Sequence, residues 1–152
     1  MGIEYRGMLN DNDILARELA KLGGLGGGLG GSMGAKLAAG FLPTETKSRK
    51  ITVKATPERA VQLGFSALTK FGQLQAENSD ESSYPLLKAV VGAGFLNMNP
   101  AVVVFEILGA SVDGCEITIT AAAKEGLIKQ HTAEKAIQRI ATEITKLAAA
   151  ET

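Results

Sequence analysis

The run Ala101-Val102-Val103-Val104-Phe105-Glu106-Ile107-Leu108 limits what this chain can become more than any other stretch. Neighbouring side chains in a strand point to opposite faces, so a strand with one wet face alternates apolar with polar. Here Val102 and Val104 fall on one face, and Val103, Phe105 and Ile107 on the other. A strand that is apolar on both sides belongs inside a sheet whose two faces are both covered. One face must meet helices, and the other needs a cover of its own. Glu106 shares the face of Val102 and Val104. Buried there, its carboxylate requires a partner such as Lys88 or Lys54. A structural ion pair, or an exposed place on an open sheet face, accounts for it more simply than catalysis does.

The elements around this run follow from periodicity and capping. Residues 50–55 alternate Ile51, Val53 and Ala55 with Thr52 and Lys54, as a half-buried strand does. Thr56, Pro57 and Glu58 then supply a cap, a residue pre-set for the first helical position, and an acid at the positive end of the helix dipole. Ala60, Val61, Leu63, Ala67, Leu68 and Phe71 give that helix its apolar face, and Gly72 stops it. Strands are expected over 73–78, 85–95, 101–108 and 113–126. A polar turn follows the first, and "LNMNP" turns between the second and third. Gly92 and Gly94 inside a strand imply a bulge or a close backbone neighbour. A last helix over 131–150, with Thr132 as its cap, buries Ile137, Ile140, Ala141, Ile144 and Leu147.

The fold class is therefore α+β: a two-layer antiparallel sheet in the order β-α-β-β-β-β-α, two helices on one face, preceded by an N-terminal helix and a glycine-rich arm. This order is similar to that of TATA-binding-like repeats and of truncated helix-grip domains. The resemblance is one of element order, so it implies a layout and no activity.

The N-terminal helix is read over residues 10–22, with Asp11 or Asp13 as cap and Ile14, Leu15, Leu19 and Leu22 as its stripe. The arm is "KLGGLGGGLGGSMGAKLAAGFLP", residues 21–43. Gly26, Gly28 and Gly31 match the spacing of a dinucleotide loop, but that loop needs a strand before it, and a helix precedes this one. "GSMGAK" lacks the order of a phosphate loop. Gly23, Gly27 and Gly31 recur every four residues, as do Gly26, Gly30 and Gly34. On a helix each set forms a flat strip suited to a close neighbour. Leu22, Leu25, Leu29, Met33 and Leu37 run between them. As a helix, residues 22–42 would span about 30 Å, the thickness of a bilayer core. Against this, each glycine costs a helix about 1 kcal/mol relative to alanine. A tether and a packed or membrane-associated helix both remain open. The division of the chain is placed at 1–48 for helix and arm, and 49–152 for the compact domain.

The chemistry-bearing residues are few. One cysteine, Cys115, excludes an internal disulfide and a cysteine-based zinc site, and one histidine, His131, excludes a multi-histidine metal site. Cys115 shares a strand face with Ile117 and Ile119, which makes it a small core residue. His131 flanks a helix and has no acid or nucleophile at a readable spacing. Glu77, Asp80 and Glu81 cluster in a polar turn, as a solvated group or a weak cation site. The formal net charge is zero, and the one basic cluster, Lys47, Arg49, Lys50 and Lys54, is short. Together with an aromatic content of 5%, this speaks against nucleic acid as a partner. No secretory signal opens the chain, so an intracellular place is expected, with membrane contact left open.

A non-enzymatic module without cofactor or metal is expected, in one of two forms. In the first, the arm, through Leu22, Gly23, Leu25, Gly27, Leu29, Gly31, Met33 and Leu37, contacts a second copy in a homo-oligomer, another partner or a membrane surface. In the second, an apolar small molecule or lipid binds near Gly92, Gly94, Val102, Val104 and Glu106, with the arm as lid or tether.

Overall fold

In the computed structural model, the structure describes residues 14–15, 17–18, 43–78, 84–93, 99–125 and 130–151. Five strands and two long helices follow in chain order: β1 (Thr44–Val53), α1 (Pro57–Phe71), β2 (Gly72–Asn78), β3 (Leu86–Ala93), β4 (Asn99–Ser111), β5 (Gly114–Lys124) and α2 (Thr132–Ala149). All neighbouring strands are antiparallel, in the spatial order β1-β5-β4-β3-β2. The expected α+β order holds. The doubly apolar run lies on the middle strand, β4.

Odd-numbered residues of β3, β4 and β5 face the helices. Leu87, Ala89, Val91, Val103, Phe105, Ile117 and Ile119 are all fully buried there. α2 lies across β1, β5, β4 and β3, while α1 covers β2, β3 and β4 and touches α2. Phe105 is the centre of this core. A Cβ built at Gly64 of α1 would come within 2.7 Å of its ring, so the helix offers bare backbone where the ring lies. At the edge of the core, Lys70 Nζ of α1 pairs with Glu143 Oε1 of α2 at 2.8 Å.

The start of α1 is as expected: the Thr56 hydroxyl accepts from the Arg59 N–H at 3.3 Å, and Pro57 is the first helical residue. Gly72 ends the helix for another reason than the left-handed turn usual for glycine. It is extended (φ −164°) and already paired with β3, where a Cβ would meet the Val90 carbonyl oxygen at 2.0 Å.

Four expectations change. Residues 44–49, ahead of the strand expected over 50–55, are the first six of the ten residues of β1; they carry no apolar residue, and their strand form comes from pairing with β5. That strand spans the division placed between residues 48 and 49. Asn99 and Pro100, read as turn, begin β4. Register passes through Gly92, opposite Pro100, without a shift; the irregularities lie at Leu74/Ala76 and Ile107/Gly109. Gly94 lies outside the described residues.

The fourth change is the cap of α2. Thr132 is its first helical residue, and His131 occupies the cap position in the left-handed region (φ 53°) with no side-chain cap bond. Glu125 does the capping. Its Oε1 accepts from the Thr132 N–H at 2.8 Å and its Oε2 from the Gln130 N–H at 2.9 Å. The Thr132 hydroxyl accepts from Asn99 Nδ2 at 2.7 Å, joining β4 to this end of the helix. The Glu125 backbone N–H also donates to the Pro43 carbonyl at 3.0 Å, which fixes the entry to β1.

Candidate ligand face of the sheet

Even-numbered residues of β3, β4 and β5 point away from the long helices. The register aligns them in rows across the sheet. Thr46, Ala122, Val102 and Val90 make one row, and Ser48, Thr120, Val104 and Lys88 the next. Lys50, Thr118 and Glu106 follow. The middle of this face is apolar, and its β1 side is lined by hydroxyls. Ser48 Oγ and Thr120 Oγ1 share a hydrogen bond of 3.0 Å, and Lys50 Nζ lies 3.2 Å from Glu116 Oε1.

The cover that the doubly apolar strand required is present. Residues 14, 15, 17 and 18 are helical, and Ile14 and Leu15, 2% and 0% exposed, pack on Val102. Val90 packs against the same cluster, which is separate from the main core. Arg17 Nη2 donates to Gln75 Oε1 of β2 at 2.9 Å and so ties this helical segment to the sheet's far side. Val102 is sealed as a result, Val104 is half-buried, and Glu106 is exposed. Lys88 is buried on the same face.

Thr118 stands apart. Its hydroxyl oxygen is buried and has no hydrogen-bond partner. An unbonded buried hydroxyl costs about 1–3 kcal/mol, so such groups call for an explanation.

Of the residues expected to line a ligand site, Gly92, Val102, Val104 and Glu106 share this face, and Gly94 lies outside the described residues. Gly92 also accepts a bond at its carbonyl from Arg139 of α2, at 3.0 Å. The space between the sheet and the helices is occupied by the core side chains around Phe105. Thr118, Val90, Ile14 and Leu15 were not singled out as site residues; strand parity marks the first, and the helical stripe marks the last two. Leu22, Gly23, Leu25, Gly27, Leu29, Gly31, Met33 and Leu37 all lie outside the described residues, as do Asp80 and Glu81. Glu77 is in β2, and its side chain is not described.

Cys115 and His131 lie away from this face. The Cys115 thiol is buried and donates to the Ala55 carbonyl at 3.1 Å; burial first, and then the negative charge of Glu58, push its pKa up, which opposes thiolate formation. His131 is exposed, with Nδ1 4.0 Å from Glu134. Among the described residues no group of His, Cys, Asp and Glu is placed to hold a metal ion, and no helix is long and apolar enough to cross a membrane.

No family model and no curated protein matches the sequence. Solved structures similar to it include an uncharacterised protein from Rhizobium leguminosarum, 8% identical, with a TM-score of 0.43 over 70% of this chain and 95% of that one. A norcoclaurine synthase point mutant from Thalictrum flavum, bound to a transition-state analogue, is 12% identical, with a TM-score of 0.38 over 72% and 97%. Ara h 8.0201 is 11% identical, with a TM-score of 0.37 over 71% and 99%. Nothing about function passes from them to this chain.

Proposed function

We propose that this protein is a binding module, without catalytic chemistry, for an apolar small molecule that carries one hydrogen-bonding group. The ligand lies on the sheet face opposite α1 and α2, and the segment containing Ile14 and Leu15 is its lid. The observation that carries this reading is the small cluster of Ile14, Leu15 and Val102, set apart from the main core. Two apolar side chains occupy an apolar seat, and an exposed hydrogen bond, Arg17 to Gln75, ties their segment to the sheet. A ligand of similar shape can exchange places with them at little net cost in buried area. Thr118 supports the polar end of the ligand, because its unbonded hydroxyl gains a partner on binding. The alternative reading, contact through the glycine-rich arm, has no described residue behind it.

The test is a titration of the full chain with cis-parinaric acid, an apolar chain ending in a carboxyl group, followed by methyl NMR. Saturable binding should shift the methyl signals of Val90, Val102, Val104 and Leu15. Those of Ile119, Ile140 and Ile144 on the helix side should stay. Shifts confined to the helix side, or no saturable binding, would overturn the reading.

A further inference from the structure

The outer edge of β1 belongs neither to the core nor to the ligand face. β1 pairs with β5 along all ten of its residues and ends the sheet. No described strand bonds its other side. An edge strand presents outward N–H and C=O groups ready to bond another extended chain. Lys47, Ser48, Arg49 and Lys50 are exposed along this edge. On its helix side, β1 and α2 enclose a cleft of about 420 Å³ lined by Lys47, Ser48, Arg49, Glu134, Ile137 and Gln138. Lys47 and Arg49 stand two residues apart on the same face, so their cations flank this cleft, with Ile137 as its apolar floor. Lys47 lies 3.6 Å from Glu45, whereas Arg49 has no ion pair among the described residues. Lys50, on the opposite face, is paired with Glu116 at 3.2 Å.

We infer that the outer edge of β1 takes up an extended acidic peptide as a sixth strand, with acidic side chains at alternate positions beside Lys47 and Arg49. Main-chain hydrogen bonds supply the attachment, and the basic pair selects the partner. Two adjoining features match one occupant: an unpaired strand edge and a cation-flanked cleft along it. A second copy of the chain matches less well: antiparallel pairing of β1 with β1 about Ser48 sets Lys47 opposite Arg49, and like charges across a ladder are destabilising. This inference is independent of the ligand face.

The experiment titrates the full chain with an acetylated, amidated peptide of sequence Glu-Val-Glu-Val-Glu-Val, by calorimetry and amide exchange. Binding should be one to one, should slow exchange in β1, and should weaken in about 0.5 M salt. The Lys47→Glu, Arg49→Glu double variant should lose about tenfold or more in affinity. Both residues are exposed, so the variant should keep its unfolding midpoint, and exchange elsewhere in the sheet confirms its fold. The same peptide N-methylated at every residue has no main-chain N–H to donate along the strand and should not bind. The inference is overturned by equal binding of the lysine counterpart, by equal binding of the N-methylated peptide, by absence of binding, or by dimerisation of the chain through β1.

Discussion

A Cβ at Gly64 would stand 2.7 Å from Cε2 of Phe105, so the ring and the bare helix backbone are fitted to each other. Gly64→Ala should therefore destabilise, although alanine gains about 1 kcal/mol of helix propensity. Overpacking a closed core costs about 1–3 kcal/mol and outweighs it. Phe105→Leu also costs stability alone, through lost contacts. Together the two changes should cost less than their sum, because the smaller side chain makes room for the methyl group. Urea unfolding of both single variants and the double variant measures this coupling; strict additivity would mean that the two residues do not meet.

Glu125 predicts an acid limb in stability. Burial raises its pKa, but hydrogen bonds from the Gln130 and Thr132 backbone, the Thr132 hydroxyl and the charge of His131 outweigh that, and the net direction is down. A depressed folded pKa means stability that is present above the unfolded value, about 4.3 for glutamate, and lost as pH falls through the folded one. Glu125→Gln should cost about 1–3 kcal/mol at neutral pH, since charge-assisted bonds are lost. The gap to the parent should close as pH drops below about 4. Denaturant titrations across pH decide it, and a gap that stays constant would refute the assignment.

The cluster of Ile14, Leu15 and Val102 is separate from the main core, so its loss should be local. Leu15→Asp should expose the Val102 methyl groups and open Val102 to exchange. The unfolding midpoint of the domain should move by less than the equivalent of about 1 kcal/mol. Ile140→Ala, inside the main core, should cost about 2–5 kcal/mol by comparison. A global loss for Leu15→Asp as large as that for Ile140→Ala would join the two clusters into one cooperative unit.

Cys115 should be inert in the folded protein. Its thiol is buried, donates to the Ala55 carbonyl, and has a raised pKa. Alkylation by iodoacetamide should proceed at the rate of unfolding and speed up with urea. Fast labelling in native buffer would contradict the packing.

The sequence was readable where a signal is local. Thr56 caps α1 because hydroxyl and N–H lie three residues apart, and Cys115, Ile117 and Ile119 alternate as strands do. The doubly apolar β4 even required a cover, though not which residues provide it; Leu15 and Val102 are far apart in sequence. Distance also hid the cap of α2. Thr132 has the right chemistry one place too late, and a carboxylate seven residues upstream does the work. Residues 44–49 have no strand signal because an edge strand carries polar and charged side chains. Gly64 and Gly72 make sense only beside Phe105 and Val90, which no periodicity brings together. Of the proposed ligand face, the β4 residues were visible from parity. The unbonded state of Thr118 depends on its neighbours in space and had no sequence signal.

The sheet order has a consequence for the chain as it leaves the ribosome. Strands β3 to β5 each pair with the strand made just before, but β1 must wait for β5. Its partner for Thr44 is Lys124, so the first of the described strands to be synthesised is the last to be stitched in. Throughout that wait both of its edges are bare. A run of valines in this place would invite neighbouring nascent chains to pair with it. "TETKSRK" is an extended segment that water tolerates until its partner arrives.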